Sequence, residues 1–428
     1  MTREASHARH AAPDGPGGPP RRVRRWPLGL ASGAVALALT AGVAFFAVHW
    51  TGSGGLPEPG RTQASRPAAT HPASATTHPR AKPKSASMPR MSAAQLAGQR
   101  VIYSYTGLTP PASLLRWISR GEVGGVIFFS GNVASDTQLA DVAAELDRAN
   151  ASRSNPMRAY PLLLMTDQEG GEVRRLPGAP ELSEAQIGQS ADPGTQAADA
   201  GEGAAANLAG AGLNVNLAPV LDVYRAAGDF DDQFGRSYST DAHAAASLGA
   251  DFIKAQQAGH VAATAKHFPG LGAADTSQDT DLRPVTLDVP RQELRGVDEL
   301  PYQAAIAAGV KLVMVSWAIY PALDPNVPAG LSSTIVNGEL RQRLGFGGVT
   351  ITDALEAGAL APFGSIAHRA TLAAGAGMDL LLCSQQTDTE GEQARIALAD
   401  SYSRGSLGHS AFTAALDRIL ALRASLRH

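Results

Sequence analysis

The chain has a single cysteine, Cys383, among 428 residues, so no disulfide can form within it. If exported, it must be held by a large core rather than by covalent staples, and a domain of this length can supply one. Its net charge is only −3, and no basic stripe runs through the part that reads as folded. Nucleic acid is therefore not an expected partner. No Gly-x-Gly-x-x-Gly turn opens a helix after the first strand-like run, which argues against a dinucleotide fold. Histidines and Cys383 are scattered, not gathered at ligand spacing, so neither a metal nor an organic cofactor is expected.

Charge is also missing from one long stretch near the start. Within residues 27–50, Leu28–Trp50 has no charged side chain apart from His49 when protonated, and it is long enough to cross a bilayer as a helix. The leader at 1–26 ends in Arg21-Arg22-Val23-Arg24-Arg25. That asymmetry orients the N-terminus to the cytoplasm and the rest outside. The alternative is a cleaved signal segment followed by secretion. The long leader and the lack of an Ala-x-Ala site favour an anchor, and the absence of a following cysteine argues against a lipoprotein. Residues 51–90 are rich in Pro, Ala, Ser and Thr and read as a disordered tether with a reach on the order of 100 Å. His71 and His78 are solvated residues of that tether.

The folded part is expected at 91–428. Strand-like apolar runs lie at Arg100–Tyr105, Gly125–Phe129, Leu162–Thr166, Asn214–Ala218, Ala262–Lys266, Lys311–Ser316, Gly348–Thr352 and Met378–Cys383. Amphipathic, Ala-rich helical stretches separate them, among them Thr137–Asn150, Thr195–Ala211, Ala242–Gln257, Leu300–Ala308, Gly338–Leu344 and Ile366–Gly375. Only helices follow the eighth strand, including Ser410–Leu426. Eight strands alternating with helices predict an α/β fold, a (β/α)8 TIM-type barrel, with a doubly wound open sheet as the alternative.

A barrel of this kind carries its chemistry at the C-terminal ends of its strands. The fifth run ends in Lys266-His267-Phe268-Pro269-Gly270-Leu271-Gly272. The third is followed by Thr166-Asp167-Gln168-Glu169-Gly170-Gly171-Glu172-Val173, where a Gly pair would let the backbone approach a ligand closely. The fourth leads to Pro219-Val220-Leu221-Asp222-Val223 and then Gly235-Arg236-Ser237-Tyr238. The seventh ends in Thr350-Ile351-Thr352-Asp353-Ala354-Leu355. Each segment has a plainer reading as a surface ion pair or a helix cap. Glu169 reads best as a structural ion pair, and Asp222 as a loop organiser. Trp317, after the sixth strand, fits either a pocket wall or barrel core.

Together these segments resemble glycoside hydrolase family 3, most of all its single-domain bacterial β-N-acetylglucosaminidases. The resemblance implies that Asp353 is a nucleophile forming a glycosyl-enzyme, and that Asp167, Arg236, Lys266 and His267 bind a sugar. Glu172 stands where the family usually has Arg. A larger departure follows Lys266-His267. The family's single-domain members carry an acid/base His in an Asp-Ser-His triplet, whereas this loop reads Asp275-Thr276-Ser277-Gln278-Asp279-Thr280-Asp281. Asp281, or Asp279 if the register differs, is then the candidate acid/base. The expected function is an extracytoplasmic retaining exo-glycosidase. Its substrates would be terminal β-N-acetylglucosaminides or related β-glycosides, cell-wall glycan included, with the membrane met only through residues 28–50. The alternative is a catalytically impaired barrel that binds glycan as a receptor or scaffold.

Overall fold

The computed structural model describes residues 90–427, and the expected anchor at 27–50 lies outside them. Among the described residues no helix is long and apolar enough to cross a membrane. Eight parallel strands close into a barrel: β1 Val101–Tyr103, β2 Gly125–Ile127, β3 Leu163–Thr166, β4 Val215–Asn216, β5 Ala262–Phe268, β6 Leu312–Val315, β7 Val349–Ala354 and β8 Leu380–Leu382. Neighbours round the ring follow chain order, and the seam is closed by β1 against β8, with Val101 opposite Leu381.

The strands read as unbroken apolar runs because both of their faces are covered. Side chains alternate across each strand. Leu312 and Met314 of β6 join the cluster inside the barrel with Ile102, Met165, Ile351 and Leu382, whereas Val313 and Val315 face the surrounding helices. The C-terminal helix His409–Ser425 seals the end opposite the active loops. Ile419 and Leu422, with Leu426 just beyond the helix, pack into the inner cluster. Buried Arg423 donates to the Pro161 carbonyl at 2.7 Å and reaches Gln99. Nearby, fully buried Asp379 accepts from Arg418 at 2.7 Å and from Arg341 at 2.7 Å. This end of the barrel holds the fold together.

Two strand ends run further than expected. β5 continues to Phe268, which pairs with Val315, and β7 continues to Ala354, which pairs with Leu382. Lys266, His267 and Asp353 therefore stand inside strands, on backbone fixed by the sheet. A short antiparallel hairpin, Gln168–Gly170 with Val173–Arg174, follows β3 and was not expected. Gly170-Gly171 also has a use within the fold. A Cβ on Gly170, whose φ is 123°, would lie 2.2 Å from the Leu182 carbonyl oxygen. The glycines therefore let the hairpin pack closely against residues 182 and 183 of its own chain.

Candidate active site

At the C-terminal mouth the strand ends bring together a buried ion network. Lys266, with a side chain 2% exposed, places Nζ 2.8 Å from Asp167 Oδ1 and 2.6 Å from Glu169 Oε1. Arg236 grips the same Glu169 through Nε and Nη2 at 2.8 and 3.0 Å, and reaches Asp231 through Nη1 at 3.1 Å. Arg175 approaches Asp167 at 3.9 Å. Gln168 sets the geometry from behind. Its side-chain oxygen accepts from the backbone of Arg175 and Leu176, and its amide donates to the Leu176 and Ala179 carbonyls. With Gln168 fixed in this way, Asp167 and Glu169 on either side of it both reach Lys266.

The network keeps its members charged despite burial. Burial alone would raise the Glu169 carboxyl, but Arg236 and Lys266 outweigh it and hold the pKa at about 2. Asp167 is likewise lowered, the pull of Lys266 and Arg175 exceeding the cost of burial. Burial would lower the Lys266 ammonium, yet Asp167 and Glu169 raise it. Glu169 is thus the structural ion pair its sequence context suggested. Asp167, Lys266 and Arg236 form a rigid set of acceptors and donors of the kind that holds a polyhydroxylated ligand.

Beside this network, His267 Nδ1 lies 2.7 Å from Asp222 Oδ2. Asp222 also accepts from the His267 N–H at 3.2 Å and from the Leu271 N–H at 2.6 Å. It therefore organises the loop, as expected. Burial would lower the His267 imidazole, but Asp222 raises it, and Asp231 and Asp353 add to the effect. Asp231 is pushed up to about 7, by burial and then by the Asp222 charge. Asp222, Asp231 and His267 hold ligating atoms within 4.8 Å of one another and could enclose an ion. Asp222 already accepts from His267 and Leu271, and Asp231 from Arg236, so these carboxylates serve to fix the loop and the neighbouring side chains.

Asp353 is half-buried at the end of β7, and its Oδ1 accepts from the Ala354 N–H at 2.7 Å. Trp317 is fully buried and donates to the Ala354 carbonyl at 2.7 Å, so it belongs to the packing behind Asp353. On the loop after β5 the three aspartates differ. Asp275 is exposed, and its carboxyl is lowered by bonds from Ser277. Asp279 spends Oδ1 on the Asp281 N–H at 2.8 Å. Asp281 is pushed up to about 7, by the poor hydration of its crowded carboxyl and by the charges of Asp353 and Asp279. Its outer surface is open to solvent. With that surface open, the charges of Asp353 and Asp279 are the firmer cause of the rise. His267 and Arg236 also act on Asp281, which links this loop to the ion network.

Sequence reading thus named Asp167, Arg236, Lys266, His267, Asp353 and Asp281 for one mouth, and the fold brings them there. It missed Gln168, Arg175 and Asp231. Arg175 and Gln168 lie within the quoted segment, but their partners depend on the hairpin. Asp231 sits in a polar loop with no recognisable spacing.

A parallel barrel with an ion-paired, carboxylate-rich mouth is the frame of many hydrolases. The family model described as glycosyl hydrolase family 3 N terminal domain matches residues 92–422. The chain belongs to that family and is a glycosidase. A protein of Arthroderma benhamiae called an uncharacterized secreted glycosyl hydrolase is 46% identical over 332 residues, covering 77% of this chain and 93% of the other. A beta-hexosaminidase of Stenotrophomonas maltophilia is 35% identical over 309 residues, 68% of this chain and 88% of the relative. Among solved structures, a family 3 beta-N-acetylglucosaminidase of Paenibacillus superposes with a TM-score of 0.74 at 34% identity. That match covers 79% of this chain but only 63% of the Paenibacillus chain. The beta-N-acetylhexosaminidase of Beutenbergia cavernae gives 0.71 at 32% identity, with 78% and 99% covered.

Proposed function

We propose that the chain is a retaining exo-glycosidase acting outside the cytoplasm on terminal β-N-acetylglucosaminides or related β-glycosides, cell-wall glycan among them. Asp353 is the nucleophile and Asp281 the acid/base. The observation that carries this reading is the placing of Asp281 near Asp353: its turn is hydrogen-bonded to the segment leaving β7, and the Asp353 charge acts on it, beside the Asp167–Lys266–Arg236 network. Two carboxyl groups of which one keeps a proton near neutral pH are what a retaining glycosidase needs. The names of the Stenotrophomonas, Paenibacillus and Beutenbergia relatives supply the substrate class.

In the first half of the reaction an Asp353 carboxylate oxygen bonds to the anomeric carbon as the glycosidic C–O bond breaks. Asp281 gives its proton to the departing oxygen. In the second half the Asp281 carboxylate takes a proton from water, the water oxygen bonds to the anomeric carbon, and Asp353 is released. Asp167, Lys266, Arg236 and His267 hold the sugar hydroxyls throughout. Asp279 is the less favoured acid, because one of its oxygens already caps the Asp281 N–H.

Arg21–Arg25 ahead of Leu28–Trp50 supports export with the barrel outside a membrane. The description of the Arthroderma relative as secreted fits the cleaved alternative. Fractionation decides between them: an anchored chain stays with membranes, and a released form beginning after residue 50 marks cleavage. For the chemistry, the chain from Met91 onward is tested against a panel of aryl β-glycosides while the anomer of the first product is followed. Hydrolysis of the N-acetylglucosaminide with retention supports the reading. Glycan binding without turnover of any member points to the receptor or scaffold role.

A further inference from the structure

The loop that carries Asp281 leaves β5, whereas Asp353 stands on β7, so the loop must cross the end of β6 to bring the two together. It is tied down at two places, one of them after Asp281 in the chain. The Leu287 N–H donates to the Ile319 carbonyl at 2.9 Å and the Ile319 N–H to the Val285 carbonyl at 2.9 Å, fixing the loop beyond β6. Past β7, the Gly358 N–H donates to the Asp281 carbonyl at 2.7 Å and the Ala359 N–H to the Thr280 carbonyl at 2.9 Å. Thr280 is 3% exposed, so the turn is seated against the barrel. Within the turn, Asp279 caps the Asp281 N–H, and its carbonyl accepts from Leu282 and Arg283 at 3.3 and 3.2 Å.

The second tie depends on a side chain that is not there. A Cβ on Gly358 would lie 2.3 Å from both the carbonyl carbon and the carbonyl oxygen of Leu282, and 2.8 Å from the Arg283 nitrogen. These are backbone atoms of the Asp281 turn, and no rotamer change relieves the clash. The φ of Gly358 lies outside the left-handed region, so alanine fits its backbone and only the space is wanting.

We propose that Gly358 is a positioning residue, whose bare Cα lets the Asp279–Arg283 turn dock on the segment leaving β7 and so holds Asp281 beside Asp353. The proposal rests on the reading of Asp281 as acid/base. A carboxyl on a short side chain reaches a leaving oxygen only if its backbone is held close, and the two hydrogen bonds from Gly358 and Ala359 hold it there.

The test compares Gly358→Ala, Asp281→Asn and the double variant on two substrates, one with an activated 2,4-dinitrophenyl leaving group and one with an unactivated alkyl or sugar leaving group. Thermal unfolding of each variant is recorded alongside. Positioned general acids contribute about 10²–10⁴-fold. Gly358→Ala is expected to slow glycosylation by the unactivated substrate about ten- to a hundred-fold, with little change on the activated one. Its effect should largely vanish when Asp281 is already Asn. If Asp281→Asn shows that leaving-group signature and Gly358→Ala does not, the positioning role is overturned while the acid assignment stands. If Gly358→Ala slows both substrates equally, or its effect simply multiplies with that of Asp281→Asn, its role is structural and the inference fails. If Asp281→Asn has no signature either, the acid assignment and the inference fall together.

Discussion

The Lys266 ammonium lies 2.8 Å from the Asp167 carboxylate while its other partner, Glu169, is 2.6 Å away, with both Lys266 and Glu169 only 2% exposed. A cation shared by two carboxylates in a buried mouth supports the fold, and on the proposed reading it serves the ligand site as well. Removing it leaves two acidic groups with weaker compensation, and breaking a buried pair in this way costs about 3–5 kcal/mol. Lys266→Met should therefore lower the unfolding free energy on that scale and cut kcat/KM at least about a hundred-fold. Denaturant melts and steady-state kinetics check both. A variant with unchanged stability would show that the pair is worth little.

The same network sets an acid limit on stability. Glu169 has a folded pKa of about 2, lowered from the ordinary 4.5. Its contribution is present above the unfolded value and is lost as pH falls from about 4.5 toward about 2, because the unfolded chain binds the proton first. Unfolding free energy should fall across that window, and Glu169→Gln should flatten the slope there.

Asp281 acts in the opposite direction. Its carboxyl is raised to about 7, so it is protonated at lower pH and loses the proton as pH rises through that value. On an unactivated glycoside kcat/KM should decline above about pH 7, and Asp281→Asn should remove that alkaline limb. A limb that persists in the variant belongs to another group, with His267 the first to examine.

Far from the mouth, Asp379 joins Arg341 and Arg418 beneath the barrel. Asp379→Asn weakens both pairs and should destabilise by about 3 kcal/mol or more. At a temperature where it remains folded, its leaving-group dependence should match that of the unaltered enzyme. This variant separates loss of fold from loss of chemistry.

Much of the barrel was legible because strands covered on both faces must be apolar throughout. Leu312–Val315 and Leu380–Leu382 could be placed without any knowledge of their partners. The site was legible where one residue sits at a strand end, as with Lys266, His267 and Asp353. Legibility stopped where a group acquires its role from a distant contact. The Gln168–Arg174 hairpin has no period to read, Asp231 owes its environment to Asp222 and Arg236, and Gly358 matters only because the Asp281 turn lies against it. The strand ends at Phe268 and Ala354 were placed short because polar side chains were taken to end a ladder that the backbone continues.

The acid/base assignment is tested most directly by trapping the intermediate. The barrel with Asp281→Asn is mixed with the 2,4-dinitrophenyl glycoside that the unaltered enzyme turns over, and the intact protein is weighed by mass spectrometry with and without azide. The account predicts a burst of dinitrophenol, a mass increase of one glycosyl unit that Asp353→Ala abolishes, and release of glycosyl azide with restored turnover. Full activity of Asp281→Asn on an unactivated glycoside, with no covalent species accumulating, would contradict it.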